Sequence, residues 1–312
     1  METMRPRHSE TVCRVLNGAV EFRHFAGFDQ LFAPHAHDYP VIGLVREGHR
    51  LMECNRAQHH LGPGQLLALN PGDAHGCVQE GTVPLVYDSL ALLDLPDCPS
   101  FAGPIVEDAE AIALMEDLVN LMEEPTIDEA HAEEELYLLV GLLAAHDDPG
   151  IRDRATCNHS RAREHPSPTK PAPPDSAARA MAAYLRHHAS ETVRLEEVAA
   201  AAGLDKYRAL RSFTAAFGLT PMRYVASLRV ETAREALAAG ASCAEAALAA
   251  GFSDQAHMTR AFKERLGMTP GFYQRAVTGT AAGAGAARTE GAPCFPSTPK
   301  GPVALSPEQV HS

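Results

Sequence analysis

Two arginines, Arg211 and Arg260, lie 49 residues apart, each in a segment with helical spacing and outward-facing polar side chains. The polar side chains that accompany them are Lys206, Tyr207, Gln255, Thr259 and Lys263. Arginine can bond guanine through two hydrogen bonds and glutamine can bond adenine, whereas lysine is better suited to phosphate. These residue types at helical spacing predict recognition of double-stranded DNA.

A motif that occurs twice must position these side chains. The first copy contains Glu196, Asp205, Arg211, Phe213, Gly218, Thr220, Pro221 and Tyr224, and the second contains Glu245, Asp254, Arg260, Phe262, Gly267, Thr269, Pro270 and Tyr273. Each copy predicts a short helix, a tight turn and a second helix. Glycine at the turn tolerates a positive φ, and Asp205, like Ser253 or Asp254 in the second copy, can cap the helix that follows.

The apolar spacing indicates which face of each second helix is buried. The residues predicted to face inward are Ala209, Phe213 and Phe217 in the first copy and Met258, Phe262 and Leu266 in the second. A helix over Arg223–Leu237 would hold the two units at a fixed spacing. The outward residues differ between the copies, so a single chain is expected to read an asymmetric site. The alternative is a helical interaction domain whose arginines form a solvated face.

Charge is unevenly distributed along the chain. Residues 1–174 carry 12 Lys and Arg against 28 Asp and Glu, a net charge of −16. Residues 175–278 carry 13 against 10, a net charge of +3. This asymmetry favours DNA contact by the repeat region alone.

The repeat region closely resembles the AraC/XylS transcriptional regulators. The stretches that carry the resemblance are V-R-L-E-E-V-A-A-A-A-G-L and G-F-S-D-Q-A-H-M-T-R-A-F-K-E-R-L-G-M-T-P-G-F-Y, within roughly residues 178–275. The resemblance implies that both second helices enter successive major-groove faces on one side of the DNA. It also implies that five residues lie at base-facing positions, namely Tyr207, Arg211, Gln255, Thr259 and Arg260.

The preceding sequence predicts strands and then helices, so the fold class is α+β. Apolar runs separated by turns indicate an antiparallel barrel, and helical periodicity over 107–122 and 129–145 indicates a hairpin that either forms a dimer interface or covers the barrel. The predicted organisation is a cupin-like barrel at 1–95, a helical hairpin at 96–148, a proline-rich linker at 149–174, a tandem helix-turn-helix domain at 175–278 and a disordered tail at 279–312.

Three histidines in the barrel region could form a binding site. His35 and His37 would point the same way from a strand, and His75 could approach from a neighbouring strand. With Tyr39 they are the predicted ligand-binding residues. The segment F-A-P-H-A-H-D-Y-P-V-I-G-L-V-R-E-G resembles the cupin-like sensor domains of this family. An organic ligand is favoured over a divalent metal, because metal-binding cupins supply a glutamate where this chain has Pro40, Val41 and Ile42; structural histidines are the third possibility.

We therefore expect a regulator and not an enzyme, with no cofactor required. Its expected partners are promoter DNA, a small-molecule effector, RNA polymerase and a second copy of the chain. Seven scattered cysteines and the absence of an apolar signal or membrane segment favour a cytoplasmic protein. The alternatives are a cupin metalloenzyme of the dioxygenase kind with an accessory DNA-binding domain, and a constitutive DNA-binding protein whose barrel only dimerises.

Overall fold

The computed structural model describes residues 9–281 except residues 97, 125 and 146–175. The predicted linker at 149–174 lies outside the described residues, as do residues 282–312 of the predicted tail. Within the described ranges, none of the helices combines the length and apolar character that crossing a bilayer requires.

The N-terminal part is an antiparallel β-structure of two sheets. Its strands are β1 (Ser9–Val15), β2 (Val20–Phe28), β3 (Phe32–His35), β4 (Val41–Glu47), β5 (His49–Cys54), β6 (Ala57–Leu61), β7 (Leu66–Leu69), β8 (His75–Glu80), β9 (Leu85–Leu92) and β10 (Ile105–Val106). The six-stranded sheet has the order β1-β2-β9-β4-β7-β10 and the four-stranded sheet the order β3-β8-β5-β6. The barrel was predicted to end at residue 95, but β10 pairs with β7 beyond that boundary.

The continuous apolar sequence of strand β4 is explained by what covers its two faces. Val41 and Val45 face the space between the sheets, whereas Ile42 and Leu44 face the helical hairpin on the outer side. Side chains alternate between the two faces of a strand, and both faces of β4 are covered. The strand is therefore buried on both sides and needs no polar residue between Val41 and Val45.

Helices α1 (Ala109–Glu123) and α2 (Glu129–Ala145) form the predicted hairpin. Asp108 caps α1 by accepting hydrogen bonds from the backbone N–H groups of Glu110 and Ala111. Buried Leu118 and Leu136 pack with the outer face of the six-stranded sheet. The hairpin thus covers the barrel, and its role in dimerisation remains a prediction.

The C-terminal part is helical. Its elements are α3 (Ser176–His187), α4 (Leu195–Ala200), α5 (Lys206–Phe217), α6 (Pro221–Ala238), α7 (Cys243–Ala249), α8 (Gln255–Leu266) and α9 (Pro270–Ala281). The first unit has its own core around Phe213, whereas Phe262 in the second unit belongs to the same apolar cluster as the interior of the barrel. Helix α9 runs to Ala281, past the predicted start of the tail at 279.

Candidate DNA interface and ligand pocket

The first helix-turn-helix consists of α4, a turn at Gly203 and α5. Gly203 has φ +65°, a conformation that costs little only in glycine. The Asp205 carboxylate accepts hydrogen bonds from the backbone N–H groups of Tyr207 and Arg208, both at 3.0 Å. Asp205 therefore caps α5 as predicted.

Helix α5 presents its predicted polar residues to solvent. Tyr207 is 79% exposed, and Lys206 and Arg211 are also exposed. The Lys206 ammonium lies 2.9 Å from the Glu196 carboxylate on α4, so a phosphate would compete with a weak surface ion pair. Ala209 and Phe213 are fully buried, and Phe217 is half-buried.

The second helix-turn-helix consists of α7, a turn at Gly251 and α8. Of the two predicted caps, Asp254 acts directly by accepting a 2.7 Å hydrogen bond from the backbone N–H of His257. Exposed side chains on α8 are Gln255, Arg260 and Lys263. Thr259 is half-buried, and its hydroxyl donates to the carbonyl of Gln255. The predicted inward residues Met258, Phe262 and Leu266 are buried.

The two turn glycines provide a matched pair for mutation. Gly203→Ala is expected to lower the free energy of unfolding by ~1–2 kcal/mol, because an L-residue is strained at positive φ. Gly251→Ala should cost ~1–3 kcal/mol more, because its new Cβ would lie 2.3 Å from the carbonyl oxygen of Ser190, whereas nothing lies within 4 Å at Gly203. Urea unfolding followed by circular dichroism measures both, and equal losses would contradict the steric argument.

The three predicted histidines do come together, at one end of the barrel. His35 and His75 are paired in register between β3 and β8, with ring centroids 4.3 Å apart. The His37 ring lies 4.8 Å from that of His35 and 5.4 Å from that of His75. His37 is not in the strand with His35, since β3 ends at His35. It lies in the irregular segment that follows β3, so the strand alternation used in the prediction does not apply to it.

These histidines line a cavity of about 80 Å³, which exceeds the ~10–15 Å³ that one water requires. The other side chains around it are mainly apolar, including Val41, Val45, Met52, Leu67, Leu69 and Leu85, with Arg23, Arg50 and Tyr87 among them. Tyr39 is not in this lining, but its ring stacks on His37 with centroids 4.9 Å apart. A small organic molecule with a polar group directed towards the histidines would suit this cavity.

Comparison with known proteins identifies both halves of the chain. Residues 18–140 match the family described as AraC-like ligand binding domain, and residues 198–276 match the family described as helix-turn-helix domain. The HTH-type transcriptional regulator YbfI of Bacillus subtilis strain 168 is 31% identical over 255 residues, which cover 77% of this chain and 86% of YbfI. The chain belongs to the AraC family of transcriptional regulators.

One further relative matches in sequence, and one solved structure has a similar fold. The MmsAB operon regulatory protein of Pseudomonas aeruginosa is 30% identical over 96 residues, or 30% of this chain and 31% of that protein. A crystal structure of an apo ToxT variant from Vibrio cholerae strain SCE256 has a TM-score of 0.51 at 10% identity, covering 85% of this chain and 100% of that one, which shows the fold alone. This AraC-family regulator therefore combines a ligand-binding β-domain with a DNA-binding helical domain.

The two domains of this AraC-family regulator meet at a group of charged and polar residues that are buried except for half-buried Arg14, and the sequence prediction missed it. We call it the ionic network; its members are Arg14, Glu21, Arg23, His37 and Tyr39 of the barrel and Glu231, Arg234 and Tyr273 of the helical domain. The Arg234 guanidinium bonds Glu231 at 2.7 Å and Glu21 at 3.2 Å. The Tyr273 hydroxyl donates to Glu21 at 2.7 Å.

Charges in the ionic network keep its carboxylates ionised despite burial. Burial raises the pKa of Glu21, but the cations of Arg23 and Arg234 outweigh this and lower it from 4.5 to about 2. Burial likewise raises the pKa of Glu231, and Arg234 and a hydrogen bond from His37 outweigh it, giving about 2. Both groups are therefore anions at neutral pH, and their partners must remain in place.

The C-terminal turns of both outward-facing helices rest on the barrel. Leu219, just after α5, is buried against Ala36 and Ala74, which are the neighbours of the three histidines in the sequence. Gly267, which ends α8, lies so close to Phe25 and Phe28 that an added Cβ would be 3.1–3.3 Å from their rings. Arg265 and Leu266 of α8 line the cavity itself. The ligand-binding and DNA-binding elements of this chain are thus in direct contact.

Proposed function

We propose that this regulator reads an asymmetric DNA site with α5 and α8, and that a molecule bound in the barrel cavity controls how those two helices are presented. The observation that carries the proposal is the contact just described: both helices expose polar residues, and both end on the barrel. A ligand can shift an equilibrium only if it contacts the two states differently. Residues of α8 that line the cavity provide such a contact.

The proposed DNA contacts are divided between bases and phosphates. Arg211 and Arg260 occupy equivalent exposed positions and would each bond a guanine, while Gln255 would bond an adenine. Tyr207 and Thr259 would add contacts specific to one half of the site. Lys206 and Lys263 would bind phosphate without sequence preference. Because α5 and α8 differ at these positions, the two halves of the site should differ in sequence.

The proposed effector pocket includes His35, His37, Tyr39 and His75. A ligand near these residues would lie beside Ala36 and Ala74, on which the turn after α5 rests, and beside Arg265 and Leu266 of α8. It would also lie beside His37, whose Nδ1 is 3.2 Å from Glu231 on α6. These three contacts each involve a different helix of the DNA-binding domain.

Two further partners belong to this proposal. A regulator placed at a promoter is expected to act through RNA polymerase. A second copy of the chain would fit the outer face of α2, where Tyr137 is 45% exposed and Leu138 is 53% exposed.

Genome-wide mapping of binding sites tests the proposal most directly. We expect a recurrent asymmetric motif, and the adjacent genes should indicate candidate effectors. A true effector should change operator affinity of the full chain, and filling the cavity by Met52→Trp should remove that response. Binding with no recurrent motif, or operator affinity insensitive to every ligand that raises the melting temperature, would contradict it.

A further inference from the structure

The hydrogen bonds of the three histidines fix the same tautomer in each ring. The Nδ1 atom of His35 is 2.7 Å from the carbonyl oxygen of Ala33, and that of His75 is 2.8 Å from the carbonyl oxygen of Asp73. The Nδ1 atom of His37 is 3.2 Å from the Glu231 carboxylate. These partners only accept hydrogen bonds, so each Nδ1 carries the proton. In the neutral ring, each Nε2 is then the lone-pair donor.

The three histidines bring ring nitrogens to a spacing close to that of ligands around a metal ion. One ring nitrogen from each histidine lies within 4.8 Å of the other two, and a shift of roughly 1 Å would bring them to the separation of ligands around an ion with Zn–N bonds of ~2.0–2.1 Å.

We propose that His35, His37 and His75 bind a divalent transition-metal ion, and that Glu231 of the DNA-binding domain is the outer carboxylate of this site. In metal centres, a ligating histidine commonly donates its other N–H to a carboxylate, which orients the ring and raises its basicity. Here that carboxylate comes from α6, 194 residues away from His37. The inference rests on the proposed function, since it names the occupant of the same pocket.

The charges around the site indicate what else would bind with the ion. Arg265 lines the same cavity, so its positive charge would oppose a bare divalent ion. The Arg265 Nε atom is buried without a hydrogen-bond partner among the described residues. An anion, such as hydroxide or a small carboxylate, would offset the positive charges of Arg265 and of the metal ion. It would also fill the coordination position that three histidine ligands leave open.

This arrangement couples occupancy of the site to docking of the two domains. An ion on His37 makes the ring a stronger donor to Glu231, and so stabilises the contact between the barrel and α6. Linkage is reciprocal, so separation of α6 from the barrel should weaken metal binding. The metal would then act as a sensed ion, or as the anchor for a sensed anion.

Titration of the chelator-stripped full-length chain with Co²⁺ tests the site without DNA. We expect one Co²⁺ per chain, with visible d–d bands that Zn²⁺ abolishes. His75→Ala should remove the bands, whereas His60→Ala should keep them, because the His60 side chain is 76% exposed and pairs only with Glu80 among the described residues. If the wild-type chain binds none of Co²⁺, Zn²⁺ and Ni²⁺, the metal site is wrong, while specific DNA binding would stand.

Glu231→Gln tests the coupling separately. It should lower Co²⁺ affinity by about 10–100-fold while the bands persist, as for other outer-carboxylate replacements. Glu235→Gln, at an exposed position one turn further along α6, should leave affinity unchanged. If Glu231→Gln binds Co²⁺ as tightly as the wild-type chain, the role of Glu231 is overturned even though the three-histidine site remains. Circular dichroism of each variant establishes that the chain is folded.

Discussion

Arg260→Ala is expected to weaken binding to the specific operator by about 1–3 kcal/mol and to relax base preference at one position. The Arg260 side chain is exposed on α8, on the opposite side of the helix from buried Met258 and Phe262. A guanidinium there can bond a guanine through two hydrogen bonds, which alanine cannot replace. Fluorescence anisotropy at fixed salt, with specific and random duplexes, measures the difference.

Lys263→Ala, one turn further along α8, is the matched control. It should weaken binding to all DNA sequences alike, because a phosphate contact carries no base information. It should also reduce the slope of log affinity against log salt concentration by about one. Equal losses on specific and random DNA for Arg260→Ala would contradict the assignment of Arg260 to a base. Arg211→Ala should repeat the Arg260 result in the other half of the site, at a different base position.

Arg234→Met is expected to destabilise the protein by about 3–5 kcal/mol, the cost of removing one partner from a buried ion pair. The substitution would leave the Glu21 and Glu231 carboxylates buried without the cation that joins them. The long apolar side chain of methionine fills most of the space, so the loss reports the missing charge more than a cavity. Urea unfolding at pH 7, followed by circular dichroism, measures the change.

Arg223→Met on the same helix is the control for Arg234→Met. Arg223 is exposed, so its replacement should change stability by no more than about 0.5 kcal/mol. Similar losses in the two variants would mean that helix α6, and not the ionic network, limits stability. A loss confined to Arg234→Met would also show that contact between the two domains contributes to the stability of the whole chain.

The sequence predicted the helix-turn-helix units well because their determinants are local. Asp205 and Asp254 each bond N–H groups two or three residues away, and the inward side chains follow from helical periodicity. The approach of His75 to His35 was predictable from strands in one barrel, and β3 and β8 are neighbours. The metal and organic-ligand alternatives depend on what enters the cavity, which sequence spacing does not determine.

The ionic network was not predicted because it depends on docking between distant segments. A charged residue in a helix is ordinarily read as solvent-exposed, yet Glu231 and Arg234 lie on the same face of α6 as buried Val230 and Leu237. That face, with charges inside an apolar stripe, was the available signal in the sequence. Its partner Glu21 is 213 residues from Arg234, and local patterns do not identify such a pair.

Because α5 and α8 contact the barrel at one end only, a small tilt there would produce a larger displacement at the other end. Each helix has 12 residues, which corresponds to a length of about 18 Å. Each contacts the barrel at its C-terminal end, whereas its first residues are exposed. A tilt of about 5° at the turn would move the first residue by roughly 1.5 Å over that length. Such a displacement is enough to break a hydrogen bond to a base. Movements too small to open the barrel could thus be sufficient to release a bound operator.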